Sequence, residues 1–347
     1  MEQLKKLRDR IDWLDVQIAS LLNERMRAAD QIGKIKRLNH QEVADQSREK
    51  SVLSQVETVV QHPILKMNIS NIYKEIMQES RIAQQFFQHL SQPYRRVGIV
   101  GLGLMGGSIC KAIKTKDPSI EIGTLVQASE DVSPAREGGW IDREHATIEE
   151  LLENSELIIL ASPISSIIPL AEKIKEKSGN VDKLVVIDIA GVKEEIVKAY
   201  ERLSCGRVEF ISTHPMAGKE KSGFANSQAT LFVNRTWVVV PHGNNTAGGL
   251  DSINELIRFL GAQPACLGAG QHDKQAALVS HLPGIISKSY FDFVNSHDPE
   301  SMKIAGPGFE SFTRLAHDNE EMREEIAKYN QQAIRDYLGQ WLECLKR

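Results

Sequence analysis

Three groups of residues in this 347-residue sequence have types and spacings that suit chemistry. The first lies in Arg96-Val-Gly-Ile-Val-Gly101-Leu-Gly103-Leu-Met105-Gly106-Gly-Ser, where G-x-G-x-x-G joins a β-rich run to a helical one. Glycines there permit a tight turn and let a pyrophosphate approach a helix N-terminus. The pattern is weak alone and gains weight from its strand-to-helix context. The second is His214 in Ser212-Thr-His-Pro-Met-Ala-Gly-Lys-Glu-Lys-Ser-Gly, read as following an apolar strand, Val208 to Ile211. Its imidazole could move a proton near neutral pH, although a lone histidine is structural more often than catalytic. The third is a set of polar residues near the N-terminus: Arg25, Lys36, Asp45, Arg48, Glu49, Ser80 and Gln84.

The elements that must position this third set are helices. Apolar residues recur at steps of three and four from Leu4 to Ile35, which predicts one long amphipathic helix of about 50 Å. An isolated three-helix unit could not cover so long a stripe, so a second subunit is expected against it. Shorter helices are predicted near Val43 to Val60 and Ile64 to Phe87, parted at His62-Pro63. Arg25 falls on the apolar seam of the first helix, and Asp45, Arg48 and Glu49 continue the face marked by Val52, Val56 and Val59 of the second. Ser80 and Gln84 continue that of Ile69, Tyr73 and Ile76 in the third. One such residue reads as a frayed end or a snorkelling side chain; the whole set reads as a polar pocket. Lined by Arg25, Lys36 and Arg48, it would suit a small dianion. It offers no nucleophile, metal cluster or acid-base pair, which leaves electrostatic stabilisation and positioning.

After Pro93 short β-rich runs alternate with helical segments, as in a parallel α/β sheet: Val97–Val100, Leu157–Leu160, Leu184–Asp188 and Thr236–Val240. From Gly268 only helical periodicity remains. The expected fold is multidomain: an all-α domain over residues 1–90, an α/β Rossmann-type dinucleotide domain over 95–267, and an all-α C-terminal domain over 268–347. A net charge of −4 and a pI near 6.2 argue against nucleic acid as the main partner. The N-terminus is charged and no run reaches about 18 apolar residues, which argues against a signal peptide and a membrane span. Cys110, Cys205, Cys266 and Cys344 are scattered without C-x-x-C spacing, so a reducing cytoplasm fits and no metal site is expected.

The run LRDRIDWLDVQIASLLNERMRAADQIGKIK, followed by Asp45-x-x-Arg48-Glu49 and Ser80-x-x-x-Gln84, resembles the all-helical chorismate mutases over residues 4–88. That family rearranges chorismate to prephenate by a pericyclic shift and needs no cofactor. The resemblance implies that Arg25 and Arg48 hold the substrate carboxylates, with Arg8 supplied across a homodimer. Lys36 and Gln84 would donate to the ether oxygen, Glu49 would bind the ring hydroxyl, and Asp45 and Ser80 would support them.

From Arg96 onward the sequence resembles prephenate and arogenate dehydrogenases, through the His214 run, Asp188-Ile-Ala-Gly-Val-Lys193, Val279-Ser-His-Leu-Pro283 and Gly308-Phe-x-x-Phe-Thr-Arg314. The implied reaction is hydride transfer from prephenate to a nicotinamide cofactor with loss of CO2. His214 would take the hydroxyl proton, Arg314 would clamp a carboxylate and His281 would line the pocket. Gly101, Gly103, Met105 and Gly106 would hold the cofactor phosphates, and Ser162 and Pro163 would lie beside the nicotinamide. Lys219 and Glu220 would line the entrance, and the C-terminal domain would carry dimer and substrate contacts. The second strand, read as Ile120 to Gln127, ends without an acid; Glu130 follows late and Arg136 could serve a phosphate, so the sequence leans to NAD with NADP left open.

Two positions depart from the family. Gly191 stands where D-x-x-S-V-K has a serine that orients the histidine, so another group or a water must fix the imidazole, or the dehydrogenase is impaired. Arg323 stands where a tryptophan is common. Rival readings are a β-hydroxyacid dehydrogenase, whose glycine loop is similar but which does not predict His214-Pro-Met-Ala-Gly, an arogenate-specific enzyme, and an N-terminal domain that only dimerises or regulates.

Overall fold

The computed structural model describes residues 2–39, 41–126, 132–204, 206–219 and 221–346. The chain divides into two compact units, one ending at Leu90 and one beginning at Ser91.

The first unit is three helices: α1 (Glu2–Leu38), α2 (Gln46–Val59) and α3 (Pro63–Phe86), with α3 packed on both others. The Asp45 carboxylate caps α2 by accepting from the Arg48 backbone N–H at 2.9 Å, and Pro63 opens α3, where a missing N–H loses no bond. Among the described residues α1 buries only Gly33, while Leu7, Ile11, Val16, Leu21 and Ile35 are more than half exposed.

The second unit carries β1 (Arg96–Val100), α4 (Leu104–Lys116), β2 (Glu121–Leu125), α5 (Ser133–Glu137), β3 (Arg143–His145), α6 (Ile148–Glu153), β4 (Leu157–Leu160), α7 (Ile164–Lys177), β5 (Leu184–Asp188), α8 (Glu194–Leu203), β6 (Val208–Pro215), β7 (Thr236–Val240), α9 (Ala247–Phe259) and β8 (Gln263–Cys266). The strands form one sheet in the order β3-β2-β1-β4-β5-β6-β7-β8. The order reverses direction between β1 and β4, so the crevice beyond their C-terminal ends is the place for a ligand in such a sheet. β1, β4, β5 and β7 are apolar runs buried at nearly every position, as strands covered on both faces must be.

Two readings of the strands need correction. The sheet is mixed, because β7 pairs antiparallel with β6. That pairing draws Ser212, Thr213, His214 and Pro215 into β6, so His214 lies within the strand, opposite Val238, rather than after it.

Helices complete the unit: α10 (Ala269–Ala276), α11 (Leu282–His297), α12 (Pro307–Thr313), α13 (Glu320–Tyr329) and α14 (Gln331–Leu345). A π-helical turn, Ala277–His281, joins α10 to α11. Such turns re-aim side chains, here His281 at its end. No helix among the described residues is long and apolar enough to cross a membrane.

Candidate active sites

In the first unit the anomalous polar residues find partners. The Arg25 guanidinium reaches from α1 to the Ser80 hydroxyl on α3 at 2.5 Å, and that hydroxyl donates to the Ile76 carbonyl at 2.8 Å. Lys36 donates through Nζ to the Val43 carbonyl at 2.7 Å, which ties the α1–α2 connection to α1. The Glu49 carboxylate accepts from Arg81 at 2.7 and 2.9 Å, so α2 and α3 are cross-linked beside Ser80. Gln84 is buried with its Oε1 unpartnered. A Cβ at Gly33 would lie 2.9 Å from the Gln84 Cγ, so a glycine is what lets α3 come this close to α1. Arg8 and Arg48 are exposed. The structure thus brings Arg25 against Ser80 and Glu49 against Arg81. Arg81 and Gly33 escaped the sequence reading, since an arginine and a glycine on exposed-looking turns carry no periodic signal.

At the sheet's switch point the three glycines do different work. Gly101 has φ +96°, and a Cβ there would meet the Ala161 carbonyl after β4 at 2.6 Å. A Cβ at Gly106 would sit 1.9 Å from the Gly101 carbonyl, so α4 can start here only with glycine. Gly103, the cap of α4, has nothing within 4 Å of its would-be Cβ. The turn is closed behind and open in front at a helix N-terminus, which fits a dinucleotide pyrophosphate. Met105 is partly buried in the first turn of α4. The Ser162 hydroxyl is buried without a partner, as suits a group awaiting a polar ligand, and Pro163 caps α7. The second-strand positions Gln127 and Glu130 lie outside the described residues, as does Glu220. Arg136 is engaged by Glu144, whose Oε2 accepts from Nη2 at 2.8 Å.

His214 is half-buried, and the His272 ring lies edge-on to it with centroids 5.1 Å apart. Its Nδ1 lies 2.9 Å from Nε2 of His272, and Nδ1 of His272 lies 2.8 Å from Oδ1 of Asp273. Asp273 also accepts from the backbone N–H groups of Lys193 at 2.8 Å and Glu194 at 2.9 Å, which anchors it at the start of α8. Burial holds the His214 pKa well below the ordinary histidine value, and the positive potentials of His272, Lys193 and His281 add to the effect. Lys193 is fully buried, bonded to the Asp188 carboxylate, the Ser212 hydroxyl and the Thr213 carbonyl, so the D-x-x-G-V-K run braces the strand that carries His214.

His281 is buried, with Nδ1 3.0 Å from the Asn330 amide and Nε2 unpartnered; burial pushes its pKa down to about 4, against the opposing charge of Asp273. Asn330 in turn donates to the Asp273 carbonyl at 2.8 Å, so His214, His272, Asp273 and His281 form one connected group. Arg314 is exposed at the start of the 3-10 turn Arg314–His317, which packs on α11. Arg323, in place of the tryptophan, donates to the carbonyls of Ala316 at 3.2 Å and Asp318 at 2.8 Å and so fastens that turn. His272 and Asp273 were missed because an adjacent His-Asp pair on a polar helix reads as solvated surface.

Three family models match in succession: chorismate mutase type II over residues 7–85, the nucleotide-binding domain of prephenate dehydrogenase over 109–265, and the dimerization domain of prephenate dehydrogenase over 268–347. A prephenate dehydrogenase of Bacillus subtilis is 26% identical over 70% of this chain and 66% of its own length. One from Lactococcus lactis is 33% identical over 64% and 61%. The T-protein of Haemophilus influenzae is 24% identical over 81% of this chain and 68% of its own. The chain thus spans less than two thirds of the length of the first two relatives. The crystal structure of prephenate dehydrogenase from A. aeolicus, in complex with hydroxyphenyl propionate and NAD+, superposes with a TM-score of 0.67 at 26% identity, covering 74% of this chain and 90% of that one. With both of its dehydrogenase domains matched behind a mutase domain, the chain belongs to the prephenate dehydrogenase family and carries a type II chorismate mutase domain in front.

Proposed function

We propose that the chain makes 4-hydroxyphenylpyruvate for tyrosine synthesis in two steps, as a cytoplasmic homodimer. Residues 1–90 rearrange chorismate to prephenate; residues 95–267 and 268–347 oxidise prephenate with loss of CO2. In the first unit Arg25, Arg48 and the partner copy's equivalent of Arg8 bind the substrate carboxylates. Lys36 and Gln84 stabilise charge growing on the ether oxygen as it breaks, and Glu49, braced by Arg81, meets the ring hydroxyl. Apolar residues left exposed along α1 support a second copy against that helix.

In the second unit Gly101, Gly103, Met105 and Gly106 hold the cofactor phosphates, with Ser162 and Pro163 beside its nicotinamide ring. When bound, the nicotinamide accepts a hydride. His214 takes the proton of the hydroxyl on the ring carbon that loses hydride and returns it to the same oxygen once the ring is aromatic, so the product is the phenol. The carboxylate on the opposite ring carbon leaves as CO2, its electron pair completes the aromatic ring, and Arg314 holds the side-chain carboxylate. The observation that carries this reading is the hydrogen-bonded chain His214–His272–Asp273, which orients an imidazole in one unit with an open glycine turn. The engagement of Arg136 by Glu144 favours NAD over NADP, since a 2′-phosphate would have to displace that carboxylate.

The test supplies purified protein with chorismate and NAD, then NADP, following reduced nicotinamide and chorismate together. Reduction that depends on chorismate supports both steps, because only prephenate made at the first site feeds the second. Loss of chorismate without reduction would leave the mutase standing and turn attention to arogenate as the second substrate.

A further inference from the structure

His214 occupies a position where the identity of the protonated nitrogen decides whether it can act. A neutral imidazole has one N–H and one lone pair, and a base must present the lone pair. Gly191, in the run where related dehydrogenases have serine, supplies no hydroxyl; an added Cβ would lie 3.9 Å from Cε1 of His214 and 3.6 Å from Cδ1 of Ile326. Among the described residues, the hydrogen bond at Nδ1 of His214 goes to Nε2 of His272 at 2.9 Å.

We propose that His272 and Asp273 form a positioning relay that keeps the His214 proton on Nδ1 and leaves Nε2 as the basic atom, replacing the hydroxyl that Gly191 lacks. The direction follows from the far end. Asp273 accepts from two backbone N–H groups at the start of α8, so its carboxylate is the fixed acceptor of the chain. The facing Nδ1 of His272, 2.8 Å away, must then carry a hydrogen. With a single proton on the His272 ring, held at Nδ1 by Asp273, the lone pair falls on Nε2, and it then accepts from Nδ1 of His214 as the donor. The same logic recurs wherever a carboxylate sets a histidine's tautomer, here extended by one ring. Asp273 is held in addition through its carbonyl by Asn330, and Lys193 braces the Thr213 carbonyl beside His214, so both ends of the relay are fixed to backbone.

The relay acts through His214 and rests on the dehydrogenase reading, so the experiment separates the two. In the full-length chain His272→Leu keeps bulk and removes the acceptor. With prephenate and NAD, kcat should fall about 10- to 100-fold while KM for prephenate stays within about twofold. Gly191→Ser added to that variant should recover most of the loss, since a Cβ there makes only ordinary van der Waals contacts, the His214 ring among them. His272→Gln, whose amide can reach the Nε2 position, should fall between parent and His272→Leu. Independently, 15N-histidine NMR of the parent should show His214 protonated at Nδ1 and not at Nε2. A folded His272→Leu with kcat within about threefold of the parent, or an Nε2-protonated His214 in the parent, would overturn the relay. If His272→Leu does not fold, the tautomer in the parent decides alone. If the parent fails to oxidise prephenate, the functional reading fails while the NMR result still judges the relay.

Discussion

The carboxylate of Glu325 accepts from the backbone N–H groups of Ile164 at 2.7 Å and Ser165 at 3.1 Å, although 161 and 160 residues separate them. α13 therefore supplies the cap that α7 lacks, Pro163 having no side-chain oxygen to offer. The loop so held is Ser162-Pro163, assigned above to the nicotinamide. Glu325→Ala should lower stability by about 1–2 kcal/mol and raise KM for NAD several-fold, with mutase turnover unchanged. Thermal denaturation alongside steady-state kinetics would check both, and an unaltered KM would detach Glu325 from the cofactor loop.

The two activities should separate by mutation. Arg25→Ala is expected to lower mutase kcat/KM by about 100- to 1000-fold, because charge stabilisation is that site's main resource. Prephenate oxidation should persist in the same protein. His214→Asn should do the reverse, lowering hydride transfer by about 100- to 10,000-fold. Assaying each variant with chorismate and with prephenate makes the comparison internal.

Two glycines three residues apart should behave differently when replaced by alanine. At Gly106 the new methyl would strike the Gly101 carbonyl, so Gly106→Ala should destabilise the unit by about 1–3 kcal/mol before any cofactor is added. At Gly103 the methyl enters open space. Gly103→Ala should leave the melting temperature of the cofactor-free protein near that of the parent and weaken NAD binding, measured by calorimetry. A Gly103→Ala protein that binds NAD normally would place the phosphates elsewhere.

Acid should unfold the second unit early. His281 is pushed down to about 4 from 6.5 by burial, and His214 shifts in the same direction. Between those values the unfolded chain binds protons that the folded chain refuses, so stability falls as pH drops from 6.5 toward 4 and levels off above that window. His281 alone should account for about 3 kcal/mol. Urea midpoints measured across this range should fall with pH, and His281→Asn should flatten the slope.

Much of this was readable from sequence wherever local pattern and local physics coincide. The three- and four-residue spacing from Leu4 to Ile35 lies inside α1, and the apolar runs at Leu157 and Leu184 are β4 and β5 to the residue or nearly so. Gly101 and Gly106 were legible because a turn of that shape excludes other residues. Strand direction was not: nothing in Thr236–Val240 tells whether it runs with or against its neighbour, and its antiparallel pairing is what lengthened β6 through His214. Contacts between distant segments were equally silent. Glu325 reads as one more acid on a charged helix, and Arg81 as one more base, until folding brings Ile164 and Glu49 to them. His272 answers the question raised by Gly191, but only three-dimensional adjacency makes the link.

The near-absence of burial along α1 has a thermodynamic consequence. A helix whose one buried residue is a glycine contributes little free energy to its own chain, so with a second copy packed on it, as proposed, the stability of the N-terminal unit would follow mass action. Its melting temperature should climb with protein concentration, whereas the sheet, with its core closed within a single chain, should melt at nearly the same temperature whatever the dilution. In a cell, abundance itself would then set how much of the first activity accompanies the second.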